Sequence, residues 1–159
     1  MKQIFKILIT VMMLQSCQSE KKIDNIIVRE DRSYEYDLSK GEGIINNTDR
    51  SVYKKFKFHK ISEAKIQHIS ELYHEKKLDT IANGKFIFDN GIEINPPKLN
   101  TIKIIFNDKT STEIKFCDNR LPNAAERMPY YTKEFFKEIT DITYNVRDSL
   151  KLISPVVYR

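Results

Sequence analysis

The chain has 159 residues, with 27 Lys and Arg against 22 Asp and Glu and a formal net charge of +5 at pH 7. This length fits one domain of ordinary size with a sizeable core. Charges of both signs are interspersed without a long basic run, so no nucleic-acid partner is expected. Gly occurs only four times, which excludes a glycine-rich phosphate-binding loop.

The N-terminal segment has the pattern of an export signal. Lys2 and Lys6 give a short basic start, and residues 7–14 are apolar apart from Thr10. A transmembrane helix needs about 20 apolar residues, and this run is far shorter. A basic start, a short apolar run and a small residue before the cut are typical of a cleaved signal peptide. Its removal takes two lysines and no acid, which lowers the expected net charge of the mature chain to +3.

The segment ends in Leu14-Gln15-Ser16-Cys17, which resembles the bacterial lipobox. In that family the cysteine sulfur receives a diacylglycerol, the signal is cut before the cysteine, and the new amino group is usually acylated. Gln15 stands where the family prefers a small or β-branched residue. The resemblance implies that residues 1–16 are a signal peptide and that Cys17 is the lipidation site of a palmitoylated, membrane-anchored lipoprotein. An ordinary secretory signal is the alternative.

After the cysteine we expect a lipidated tether over residues 17–23 and a single domain over residues 24–159. At ~3.3–3.6 Å per extended residue, this tether would hold the domain within roughly 25 Å of the bilayer. Surface lipoproteins of flavobacteria often carry an acidic cluster after the cysteine, whereas here Glu20 is followed by Lys21 and Lys22. The difference favours a cell-envelope location at the outer membrane, facing the periplasm.

Alternating and β-branched segments predict strands at residues 25–29, 33–38 and 53–59, and a return strand that begins at Ile44. The alternation in the third segment predicts a slip or bulge at Lys54-Lys55. Residues 86–88 and 92–94 predict a hairpin around Asn90-Gly91. Residues 101–106 and 111–116 form the strongest predicted hairpin, and residues 118–129 a long loop.

Two segments have helical periodicity. Ser62 is the expected N-cap of the first helix, and Thr132 that of the second. The order of strands, helix, strands and helix predicts an α+β fold in which two helices pack on one face of an antiparallel sheet. The helix residues expected to be most buried are Ile69, Leu72, Ile139, Ile142 and Val146.

The same order behind a lipobox resembles small uncharacterised lipoproteins of Bacteroidota that share a domain of unknown function. The residues that carry this resemblance are Tyr34-Glu35-Tyr36, Lys40-Gly41 and Lys60-Ile61-Ser62. The extra cysteines that this group often carries near its first strand are missing here. The resemblance implies no known activity.

Few residues suggest chemistry. His68 and Glu71 are spaced to share a helix face, but with His74 on another side they lack a third ligand, so no metal or cofactor is expected. Cys117 is either a nucleophile or a small buried hydrophobe. Strand alternation places it on the polar side, so we expect the loop after it to cover the thiol.

These observations favour a non-enzymatic binding or interaction module in the cell envelope. Its expected partners are membrane lipid, through Cys17, and an envelope protein. The alternative is a small envelope hydrolase or thiol enzyme that uses Cys117 or the His68/Glu71 pair.

Overall fold

A computed structural model describes residues 21–31, 33–47, 52–87, 99–117 and 126–152. Within them the chain forms eight strands, two α-helices and two short 3₁₀ turns. The strands are β1 (Ile23–Glu30), β2 (Tyr34–Asp37), β3 (Glu42–Asn46), β4 (Val52–Lys57), β5 (Lys85–Ile87), β6 (Leu99–Phe106), β7 (Ser111–Cys117) and β8 (Glu126–Arg127). The helices are α1 (Glu63–Glu75) and α2 (Lys133–Ser149), and the 3₁₀ turns are Leu78–Ile81 and Tyr130–Thr132.

The strands form one sheet in the order β4-β3-β2-β1-β6-β7-β5-β8. Every pair from β4 across to β7 is antiparallel, whereas β5 lies parallel to both β7 and β8. The mixed α and β composition and the mostly antiparallel sheet are therefore confirmed. The parallel β5 was not predicted. Residues 88–98, which hold most of the hairpin predicted around Asn90-Gly91, lie outside the described residues.

One face of the sheet carries the core. Val28 in the central strand lies opposite Tyr36 on one side and Ile102 on the other, and Ile102 lies opposite Ile114. All four side chains are at most 1 % exposed. Successive residues of a strand point to opposite faces. The residues next to these four along their strands therefore lie on the second face of the sheet.

Helix α1 begins where the sequence predicts. The Ser62 Oγ accepts a hydrogen bond from the Lys65 amide at 3.2 Å, which satisfies one of the free N–H groups of the first turn. Ile69 and Leu72 are buried as predicted, and the Tyr73 ring packs edge-on to Phe106 with 5.6 Å between ring centroids. The helix is therefore held to the sheet by its apolar stripe rather than by intrinsic helix propensity alone.

Helix α2 departs from the prediction in its cap. Thr132 precedes the helix, but its hydroxyl donates to the Pro129 carbonyl at 2.7 Å and caps no helical N–H group.

The apolar stripe of α2 also takes a different path. Phe135 and Ile139 are fully buried, and the next step of four reaches Thr143, which is 1 % exposed. Ile142 and Val146 are only partly buried, so the prediction that they are among the most buried residues was wrong. The helical pattern did not predict this path because Thr143 is polar. Its hydroxyl can be buried because it donates to the Thr140 carbonyl at 3.1 Å.

The bulge in β4 lies one residue earlier than predicted. Ile45 pairs with Lys54 and Asn46 with Val52, so Tyr53 is the extra residue. The β6–β7 hairpin is confirmed, and its β6 begins two residues earlier than predicted, at Leu99. Within the predicted loop at residues 118–129, Glu126–Arg127 forms β8.

We expect Ile139→Ala to lower the free energy of unfolding by ~2–5 kcal/mol, because it removes three buried carbon atoms from a close-packed core. Ile142→Ala is the matched control, since the same residue type three positions along the helix is only partly buried. Urea denaturation of both variants measures the difference. Equal losses would contradict the path of the buried stripe through Ile139 and Thr143.

Candidate functional site

The C-terminal part of the expected tether is fixed against two distant parts of the chain. The Lys21 ammonium lies 2.8 Å from a carboxylate oxygen of Asp108 and donates to the Thr110 hydroxyl at 3.0 Å. The backbone carbonyl of Lys21 lies 2.6 Å from Nε2 of His74 in α1. The chain is therefore held at one point by both the helix and the β6–β7 turn.

Two further backbone contacts continue this attachment. The Asn107 amide donates to the carbonyl of Lys22 at 2.9 Å, and the amide of Ile23 donates to the Ser70 hydroxyl at 3.4 Å. Ile23 is buried and is the first residue of β1. We call the contacts of residues 21–23 with Ser70, His74 and residues 107–110 the Lys21 clamp. Residues that the sequence assigns to the tether are thus held by the folded domain.

The electrostatics of the clamp match its geometry. The hydrogen bond from Lys21, followed by those from the side chain and amide of Thr110, lowers the pKa of Asp108 to about 2. The carboxylate is therefore ionised at neutral pH. The Lys21 ammonium also lies 5.7 Å from the centre of the Phe106 ring, a distance typical of a cation–π contact.

A surface pocket of about 400 Å³ lies beside the clamp. Its lining residues are Lys21, Lys22, Gln67, Ser70, Glu71, His74 and Glu75. Glu71 accepts a hydrogen bond from Gln67 at 3.0 Å.

The pocket bears on the predicted His68/Glu71 pair. His74 lines it together with Glu71, whereas His68 is exposed and is not part of the lining. Among the described residues, no three His, Cys, Asp or Glu side chains are grouped closely enough to hold a metal ion.

Cys117 is fully buried, with 0 % of its surface exposed. It is the last residue of β7 and is flanked by Leu99 of β6 and Ile87 of β5. Its neighbour Phe116, which points to the opposite face, is also buried. The sequence could not predict that both faces of the strand are buried here, because the parallel pairing of β5 with β7 joins distant parts of the chain. Most of the loop expected to cover the thiol lies outside the described residues.

The second face of the sheet presents charged residues. Arg29 lies opposite Glu35, with 2.6 Å between Nε and Oε2. Lys57 lies opposite Glu42, with 3.9 Å between Nζ and Oε1. An open groove of about 470 Å³ crosses β2, β3 and β4 on this side. Its lining residues are Glu35, Asp37, Glu42, Gly43, Ile44, Lys55, Phe56 and Lys57. Alternation predicts polar residues here, but only the strand register brings these particular charges together.

Cys17 lies outside the described residues. No α-helix in the described part of the chain is both long and apolar enough to cross a membrane. Comparison with known proteins gives no matching family model, no matching curated protein and no matching solved structure. The function is therefore argued from the residues of this chain.

We expect the Cys117 thiol to react slowly with a maleimide probe in the native protein and quickly in urea, because burial keeps the reagent away from the sulfur. The measurement uses a Cys17→Ser variant, in which Cys117 is the remaining cysteine.

A matched control carries a single cysteine at an exposed helix position, made by Lys137→Cys with Cys17→Ser and Cys117→Ser. This variant should be labelled quickly in both states. Rapid native labelling of Cys117 at a rate close to that of the control would contradict its burial and favour the alternative of a thiol enzyme.

Proposed function

We propose that the protein is a lipoprotein of the bacterial cell envelope, acylated at Cys17 and anchored to a membrane through that residue. The observation that carries this proposal is the Leu14-Gln15-Ser16-Cys17 sequence at the end of a short apolar segment with a basic start. The position of the domain in the chain is compatible with it, because Ile23, six residues after Cys17, is buried and is the first residue of β1.

Acylation at this position has a clear physical purpose. Buried acyl chains contribute about 0.8 kcal/mol per CH₂ group, and a single chain gives only marginal, reversible membrane binding. A diacylglycerol on the sulfur and a further acyl group on the new amino terminus supply three chains, which is enough for stable anchoring. The Glu20-Lys21-Lys22 sequence supports an outer-membrane anchor that faces the periplasm.

We further propose that the domain is a non-enzymatic binding or interaction module whose protein partner lies in the envelope. The burial of Cys117 supports this over a thiol enzyme, since a nucleophile must reach its substrate. His68 is exposed and does not line the pocket that includes Glu71, which supports it over a His68/Glu71 hydrolase.

The proposed architecture of this module has both helices on the same face of the sheet. The edge-on contact of Tyr73 in α1 with Phe106 in β6 supports it. So does the contact of Phe136 in α2 with Phe116 in β7, at 5.3 Å between ring centroids. Phe106 and Phe116 belong to the buried rows of adjacent strands. In this arrangement the charged face of the sheet is turned away from the helices.

We expect Cys17→Ala to abolish incorporation of radiolabelled palmitate and membrane retention, and to leave uncut precursor, because the sulfur is the acceptor of the diacylglycerol. The measurements are palmitate labelling, membrane fractionation and the mass of the product. Cys117→Ala is the control and should keep both labelling and membrane retention. A Cys17→Ala protein that is still acylated, cut and retained would overturn the proposal.

A further inference from the structure

We propose that the end of the domain that carries the Lys21 clamp lies against the membrane, so that the bilayer surface is the partner of this face. The face consists of the C-terminal half of α1, residues 107–110 and the pocket beside residues 21–22. This inference rests on the proposed function, since it requires an acylated Cys17. It adds an orientation to the anchor.

The chain between the lipid and the clamp is short. Lys21 is fixed through its side chain by Asp108 and through its carbonyl by His74. Only four Cα-to-Cα steps separate it from Cys17, which gives a maximum span of about 14 Å at ~3.6 Å per residue. The clamp thus shortens the maximum reach of the tether, which would be roughly 25 Å if the tether ended at residue 23.

The domain is wider than this span. A domain of this length has a radius of gyration of about 14 Å, hence a diameter of roughly 35 Å. The far end is marked by Glu30, the last residue of β1, which pairs with Arg147 of α2 at 2.9 Å. Along β1 this end lies about 23 Å from Ile23, at ~3.3 Å per residue. A link of about 14 Å is shorter than the roughly 23 Å between the two ends of β1, so the domain cannot rest on its far end with the clamp turned away from the bilayer while Cys17 remains at the membrane surface.

The face that carries the clamp has charged side chains of both signs. Lys21 is paired with Asp108, and Lys109 is paired with Asp24 at 2.9 Å. The same face also carries the exposed carboxylate of Glu71. Because the lysines are largely balanced by acids, attraction to anionic lipid does not hold this face to the membrane. The short tether sets the orientation.

The test places a fluorescent label at one of two exposed helix positions in the acylated full-length protein, by Glu71→Cys near the clamp or Ser149→Cys near the far end. The buried Cys117 stays unlabelled under native conditions. The protein is reconstituted into vesicles of phosphatidylethanolamine and phosphatidylglycerol that contain a lipid with a nitroxide quencher in its headgroup. The expected result is several-fold stronger quenching at position 71 than at position 149.

A second variant separates the tether from an intrinsic affinity for lipid. Insertion of 20 Gly and Ser residues between Glu20 and Lys21 adds an end-to-end distance of about 25 Å. The difference in quenching between the two positions should then nearly vanish. If it persists at full size, the short tether is not what orients the domain, and the proposal is overturned.

Failure of the orientation and failure of the anchor give different results. Palmitate labelling and flotation with the vesicles report acylation in the same samples. Protein that is acylated and floats, but is quenched equally at both positions, overturns the orientation and leaves the proposed function intact. Protein that carries no palmitate and does not float overturns both.

Discussion

The attachment of residues 21–23 to α1 and the β6–β7 turn is the constraint on which this account depends. Ile23 opens β1, and β1 is the central strand that pairs with β2 on one side and β6 on the other. A buried row runs through Val28 of this strand across to Ile114 of β7. The strand that organises the core therefore begins at the clamp, so any force on the tether is transmitted to the middle of the sheet rather than to its edge.

The other end of β1 is tied down by a different set of contacts. Glu30 pairs with Arg147, whose side chain is 38 % exposed, and so connects the last turn of α2 to the strand. Burial, with the nearby carboxylate of Glu30, raises the pKa of Tyr36 far above its ordinary value, so its hydroxyl is neutral throughout the physiological range. The hydroxyl of Tyr34 reaches the carbonyl of Leu152 at 3.4 Å. Each end of the central strand is thus attached to one helix.

Local patterns predicted much of this fold. Alternation located the β6–β7 hairpin, and the Ser62 cap with its apolar stripe located α1. What the sequence did not predict depends on pairings between distant residues. The parallel alignment of β5 with β7, the burial of Thr143 and the contact of His74 with Lys21 each join segments whose proximity no local period reveals. Cys117 shows the same limit, because its burial follows from neighbours on both sides.

The central claim is that residues 21–23 belong to the folded domain, and amide hydrogen exchange at Asn107 tests it most directly. This amide donates to the carbonyl of Lys22, so its exchange reports whether the segment stays docked. We expect clear protection of the Asn107 amide in the intact protein. We also expect faster exchange of this amide in a His74→Ala, Asp108→Ala double variant, whereas the exchange rate of the Ile104 amide in the buried sheet should stay unchanged. Exchange of Asn107 at the rate of an unprotected amide in the intact protein would contradict the claim.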